Sequence, residues 1–312
     1  MSVLPFDFAD IIREELDKGR RENDGLLHAS SHLTGSLRHA QLDVVGAPKV
    51  ENDLISNLRM FTGTMYHTWL ANTLRANGVP FMAEVNLTPW MPSGWGGTAD
   101  YLILNPDLDA FVLADLKTTK GEGMYYIIRD GAKLEHKWQL SMYWHAAKKM
   151  FASTAKIAKV VAVLYLPLND TRNKEESIEP TLVDFEPIPL DELMATAEFR
   201  AERVAAYREA LERKAMDYEL CEQVLDLDDP ATFLNEDLEP VQERIQSIYF
   251  DRKTETYDVK LMPHWSAQFC PFPIELCDCS TQGQTKIGMY EQDGTYIPRT
   301  GYEDIVPTVS PN

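Results

Sequence analysis

The chain has no apolar run long enough to cross a bilayer, and its first residues, Met1-Ser2-Val3-Leu4-Pro5-Phe6-Asp7, carry no basic segment leading into an apolar one. These absences predict a soluble, cytoplasmic protein with no membrane partner. Cysteine is scarce, at 4 in 312 residues. Three of the four lie close together late in the chain, at Cys270, Cys277 and Cys279, a pattern that suits thiols in a reducing compartment better than a disulfide framework. Positive charge is also in short supply: 30 Lys and Arg stand against 49 Asp and Glu, for a net charge of -19. Affinity for a phosphate backbone comes largely from Lys and Arg displacing counterions, so this balance argues against a protein that coats nucleic acid indiscriminately.

The charge is unevenly spread. Between Leu116 and Val160 nine Lys or Arg face three acids, whereas between Met216 and Glu255 twelve acids face three basic residues. The acidity of the whole chain therefore reports a late segment. A charged amphipathic helix is expected from Phe8 to Arg21, and a second helix from Glu51 to Asn77, with Leu54, Leu58, Met60, Leu70 and Leu74 at helical spacing and Gly78-Val79-Pro80 closing it. Strands follow at Phe81–Leu87, Gly97–Leu104 and Ala110–Lys117, then a helix over Leu134–Met150, a buried strand over Val160–Leu166 and a long helix over Leu190–Leu220. The segmentation is an N-terminal helical appendage at 1–25, a core at 26–215, an acidic, cysteine-containing extension at 216–300 and a Pro-bearing tail at 301–312.

The stretch from Gly96 to Lys120 carries the chemistry. Side chains alternate along a strand, so Asp115 and Lys117 share one face while Ala114 and Leu116 lie on the other. If Leu104 pairs with Phe111 across the turn at Asn105-Pro106-Asp107, the register sets Asp100 opposite Asp115, close enough to share one cation, with Lys117 beside them. Taken alone, Asp115 and Lys117 are open to a reading as a surface ion pair on an edge strand, and His67 on its apolar stripe is more often a core histidine.

Four pieces in order change that reading: Gly63-Thr64-Met65-Tyr66-His67, Gly97-Thr98-Ala99-Asp100, Asp115-Leu116-Lys117-Thr118 and Gln139-Leu140-Ser141-Met142-Tyr143. Together they resemble the PD-(D/E)XK nuclease superfamily, in particular its RecB-like exonuclease branch with CRISPR-associated and phage-borne relatives. The resemblance spans residues 26 to about 170. It implies an α/β, restriction-endonuclease-like core, a mixed central sheet flanked by helices, to which the acidic C-terminal extension is expected to add further helix. It implies that Asp100 and Asp115 hold Mg2+ or Mn2+, with the Leu116 carbonyl as a further oxygen ligand and His67 as a nitrogen ligand favouring Mn2+. Lys117 would orient or deprotonate the attacking water, while Gln139 and Tyr143, four apart on a helix, would support the site and the DNA strand. Glu84, one strand earlier, reads either as an additional metal carboxylate or as an exposed strand glutamate.

The cysteines pose a separate question. Phe269-Cys270-Pro271-Phe272 and Leu276-Cys277-Asp278-Cys279 look like the C-terminal cluster of relatives that hold a 4Fe-4S centre. Those relatives take one ligand from ahead of the core, and the stretch Ser30 to Arg38 offers no cysteine there. A fourth ligand would come from Cys221 or His264; a Cys and His set suits Zn2+ as readily as iron-sulfur, and reduced, metal-free thiols are the third reading. The function expected from the sequence is a divalent-metal-dependent DNA exonuclease of phage or prokaryotic recombination or repair, acting on linear, end-containing DNA. A CRISPR-adaptation-like or structure-specific nuclease would use the same residues. A non-catalytic DNA-binding or assembly protein would keep the fold, and on any of these readings the acidic extension could dock a recombination or replication protein.

Overall fold

The computed structural model describes residues 23–50, 54–119, 121–168, 179–213, 244–251, 254–263, 272, 285–291 and 293–300. The expected N-terminal helix, the most acidic stretch, all four cysteines, His264 and the tail lie outside the described residues. Two compact units divide the chain, one made of Met1–Thr34 and Glu51–Glu202, the other of Gly35–Val50 and Arg203–Asn312.

In chain order the elements begin with β1 (Leu27–His28), α1 (Ala29–His32), α2 (Leu37–Val44) and α3 (Leu54–Ala76). They continue with β2 (Phe81–Asn86), β3 (Trp95–Gly96), β4 (Thr98–Asn105), β5 (Ala110–Thr119), α4 (Gly121–Asp130) and α5 (Leu134–Met150). After these come β6 (Ile157–Pro167), β7 (Thr181–Phe185), α6 (Leu190–Arg213), β8 (Arg244–Asp251), β9 (Thr256–Pro263), β10 (Thr285–Tyr290) and β11 (Tyr296–Pro298).

The first unit is built on a five-stranded sheet of order β2-β4-β5-β6-β7. Only β5 and β6 run parallel, because the connection between them carries α4 and α5, long enough for a crossover; the other neighbours are antiparallel. The β4–β5 hairpin turns where expected. The side chain of Asn105 accepts the backbone N–H groups of Asp107 and Leu108, closing the loop locally, and the register Leu104 to Phe111 follows. One face of the sheet buries Tyr101, Ala114, Leu116, Ala162 and Leu166 against Tyr66, Leu70, Ala71 and Leu74 of α3. Gln139 of α5 reaches Asp115, which points to the opposite face, and α5 buries Leu140, Met142, Tyr143, Ala146 and Ala147.

Two departures from the sequence expectation concern this unit. Leu58 and Met60 of α3 are 38% and 57% exposed, whereas Leu70 and Leu74 farther along the helix are half-buried against the sheet. Helix α4 begins Gly121-Glu122-Gly123, a sequence with low helix propensity, and was not expected. It forms because Met124 and Ile127 are fully buried three residues apart, while a Cβ at position 123 would collide with the Thr119 side chain.

The extension was expected to be helical, and its described residues after α6 are instead a four-stranded antiparallel sheet of order β11-β10-β9-β8. The reason is local. Tyr257 and Val259 alternate with Asp258 and Lys260, a period of two with β-branched and aromatic residues that suits a half-buried strand. Val259 and Ile287 are fully buried, and Lys286 Nζ lies 2.6 Å from Asp258 Oδ1 across the β9–β10 pair. Helix α6 ends its described span at Arg213, short of the expected Leu220.

Candidate active site

The three carboxylates come together by strand register. Pairing between β2 and β4 keeps one register on both sides of Glu84, which therefore lies opposite Asp100; pairing between β4 and β5 carried one step past Tyr101 and Ala114 sets Asp100 opposite Asp115. Glu84, Asp100 and Asp115 thus form a row across three adjacent strands, which neighbour one another at about 4.8 Å. Like charges placed directly opposite are unfavourable, so such a row favours a cation beside it.

Each member of the row is held by its own local structure. The β4–β5 ladder stops at Tyr101 and Ala114 because the Leu116 N–H donates instead to Asp100 Oδ2, at 3.0 Å. Leu116 therefore sits where the two strands part. Asp115 is 2% exposed; its Oδ2 lies 2.8 Å from Lys117 Nζ, and its Oδ1 accepts a hydrogen bond from Gln139 Nε2 at 3.3 Å. Glu84 has a left-handed backbone, with φ of 51°, in the middle of β2. A residue with a Cβ avoids that region unless the surroundings hold it there, and such strain concentrates at functional sites.

His67 arrives from α3. The Tyr101 hydroxyl donates to the His67 carbonyl at 2.7 Å and the two rings stack, which ties that turn of helix to the strand bearing Asp100. His67 Nδ1 stands 3.5 Å from Asp100 Oδ2, and this buried nitrogen has no hydrogen-bond partner. Tyr143 packs against bare backbone: a Cβ at Gly97 would run into its ring.

The charges are strongly coupled. Burial lifts Asp115 to about 7, the charge of Asp100 adds to the rise and Lys117 opposes it. Burial likewise raises Asp100, again against the pull of Lys117. Lys117 is pressed downward by burial, yet the charges of Asp115 and Asp100 outweigh this and hold it above its ordinary value, so it is an ammonium in the protein as it stands. Burial lowers His67, helped by Lys117 and opposed by Asp115 and Glu84, leaving a neutral imidazole able to act as a ligand. Burial and the charge of Asp115 push Tyr143 up to about 12.

Residues 64–277 match the family model of the PD-(D/E)XK nuclease superfamily. The chain belongs to that superfamily. None of the curated proteins matches it. Among solved structures it is similar to an alkaline exonuclease, LHK-Exo, from Laribacter hongkongensis, at 18% identity over 65% of this chain and 97% of that one, with a TM-score of 0.41. The same exonuclease in complex with dAMP gives 16% identity over 61% of this chain and 93% of that one, with a TM-score of 0.43.

PD-(D/E)XK nucleases generally use divalent metal, and the residues here fit one. Donor atoms of His67, Glu84 and Asp100 lie within 4.8 Å of one another. An ion bound at about 2.0–2.6 Å from each ligand requires such spacing, and the unpartnered His67 nitrogen is a donor that the protein itself leaves unused. Sequence reasoning leaves Glu84 between two readings; strand register puts it in the row, its side chain is exposed, and its left-handed φ has no signal in the sequence. It also passed over His136 and Tyr165. The available signal was the spacing of His136, three and seven residues ahead of Gln139 and Tyr143 on one helix face.

The strain at Glu84 gives a prediction of opposite signs. Glu84→Gly relieves a left-handed backbone and a carboxylate pair, so the metal-free protein is expected to gain about 1 kcal/mol after the entropic cost of glycine. The rise in melting temperature on adding Mn2+ is expected to shrink at the same time. Thermal melts with and without Mn2+ check both; a loss of stability in the metal-free variant would contradict the strained, charge-matched account of this residue.

Proposed function

We propose that the protein is a divalent-metal-dependent DNA exonuclease, with its site formed by His67, Glu84, Asp100, Asp115, Lys117, Gln139 and Tyr143. The observation that carries this reading is the row of Glu84, Asp100 and Asp115 with Lys117 Nζ 2.8 Å from Asp115 Oδ2. Asp100 and Asp115, with Glu84, His67 and the Leu116 carbonyl, would hold Mg2+ or Mn2+. When bound, such a cation neutralises charge building on the phosphate and favours the hydroxide form of water near neutral pH.

The protein groups divide the remaining work. Lys117, charged and 26% exposed, is anchored by Asp115 at a fixed point where it can orient a water or meet a phosphate oxygen. Gln139, 4% exposed, holds Asp115 from the helix side and so fixes the carboxylate's orientation. Tyr143 fills the space over Gly97 and supports the start of β4. The preference for DNA ends, and a place in recombination or repair, are supported by the order of the motifs and their resemblance to the RecB-like branch.

End-labelled linear DNA and covalently closed circular DNA, incubated with Mg2+ or Mn2+, test the proposal together. The expected result is metal-dependent loss of the linear substrate while the closed circle stays intact. Cutting of the circle would instead make the protein an endonuclease, as a structure-specific nuclease with the same residues would be. No cleavage of either by folded protein would favour a DNA-binding or assembly role.

A further inference from the structure

We infer that His136 is a substrate-contacting residue of this site, donating an Nε2–H hydrogen bond to a nucleotide phosphate oxygen beside Lys117, with Tyr165 as the residue that positions it. The inference rests on the nuclease reading above and adds a member to its machinery.

Tyr165 on β6 is fully buried and pairs directly with Lys117 of β5, so the two side chains stand side by side on one sheet face. Its oxygen accepts the backbone N–H of Lys133 at 3.2 Å. Its own proton needs an acceptor, and among the described residues the atom in place is His136 Nδ1, at 2.7 Å. A phenolic O–H left unpaired in the interior loses its hydrogen bonds to water without replacement, so the hydroxyl donates to Nδ1. A neutral imidazole that accepts at Nδ1 carries its proton on Nε2. The tautomer is thus set by the fold.

That imidazole stays neutral: burial, with the charges of Lys117 and Lys133, pushes His136 down to about 3. Nε2 has no protein hydrogen-bond partner among the described residues, and His136 is only partly buried, so the N–H is presented outward. It lies on the face of α5 that also carries Gln139, whose side chain bonds Asp115. What this arrangement offers is a fixed, uncharged donor within electrostatic reach of the Lys117 ammonium, a pair suited to one anionic oxygen. The chemistry it would recognise is a phosphodiester or terminal phosphate of a nucleic acid strand.

Two substitutions separate this role from a structural one, because each keeps a different half of the ring. His136→Asn retains an acceptor near Nδ1 for Tyr165 and loses the Nε2 donor; His136→Gln retains a donor near Nε2 and loses the Tyr165 contact. The probe is a 5′-phosphorylated, fluorescently labelled oligonucleotide, its binding followed by anisotropy in Ca2+, with thermal melts run alongside. Wild type and the Gln variant are expected to bind alike within about threefold, and the Asn variant roughly tenfold to a hundredfold more weakly.

The reverse order, Asn binding normally and Gln weakly, would show that His136 merely braces Tyr165 and would overturn the inference. So would unchanged binding in both. A parallel assay on Asp115→Asn keeps the two levels apart. If that variant cleaves DNA as wild type does, the nuclease site itself is misplaced; if it is inactive while His136→Asn binds normally, only the role of His136 falls.

Discussion

Asp115→Asn is expected to reduce DNA cleavage on the order of a thousandfold or more, while the protein stays folded and still binds DNA in Ca2+. Asparagine keeps the volume of aspartate, and its side-chain oxygen can still accept from Gln139, so a residue that is 2% exposed is replaced without opening a cavity. What disappears is the negative charge. Asp115 lies centrally, opposite Asp100 on one side and 2.8 Å from Lys117 on the other, so its loss removes a proposed ligand for the cation and the anchor of the lysine. Charge stabilisation at such a centre amounts to several kcal/mol of the barrier, which sets the scale of the loss. Turnover that survives at the wild-type rate would place the chemistry elsewhere.

Lys117→Ala is expected to fail in a different way. The ion pair it breaks is buried on the Asp115 side, and removing one partner leaves a carboxylate without compensation, a change that typically destabilises by about 3–5 kcal/mol. Because Lys117 is 26% exposed, water will screen part of this, and about 2–3 kcal/mol is the expected loss in metal-free protein. Asp115, already raised by burial, would then hold its proton more tightly still. Mn2+ or Mg2+ should recover much of the lost stability, since a cation at the carboxylate row replaces the missing positive charge. Activity should stay down by about a hundredfold to ten-thousandfold even with the metal saturating, because the ammonium proposed to orient the water is gone. Chemical denaturation with and without metal, beside a cleavage assay, checks both halves. A variant as stable as wild type without metal would show that the pair contributes little to folding.

The parts of this site that could be read from the sequence are those fixed by short-range periodicity. Strand alternation put Asp115 and Lys117 on one face, and the Asn105 turn set the register that brings Asp100 opposite Asp115. Helical spacing placed Gln139 and Tyr143 together, and the helix carrying them spans the residues expected for it. Other features depend on tertiary geometry that no local pattern encodes. The left-handed φ of Glu84 arises where β2 meets β4, and the pairing of His136 with Tyr165 joins residues 29 apart in sequence.

Helix α4 was not expected because Gly121 and Gly123 lower local helix propensity, although packing against Thr119 demands glycine at 123. The extension was expected to be helical, whereas its described strands follow an alternation of Tyr257 and Val259 that suits a half-buried strand. The cysteine question, iron-sulfur, zinc or neither, falls on residues outside those described.

The row of Glu84, Asp100 and Asp115, with His67, is the proposed seat of the divalent cation on which cleavage would depend. Its most direct test is a titration of the purified protein with Mn2+, followed by electron paramagnetic resonance, for wild type and Asp115→Asn side by side. Wild type is expected to bind saturably, and the variant at least tenfold more weakly, in step with its lost cleavage. Equal binding by the two proteins, or none by an active wild type, would contradict it.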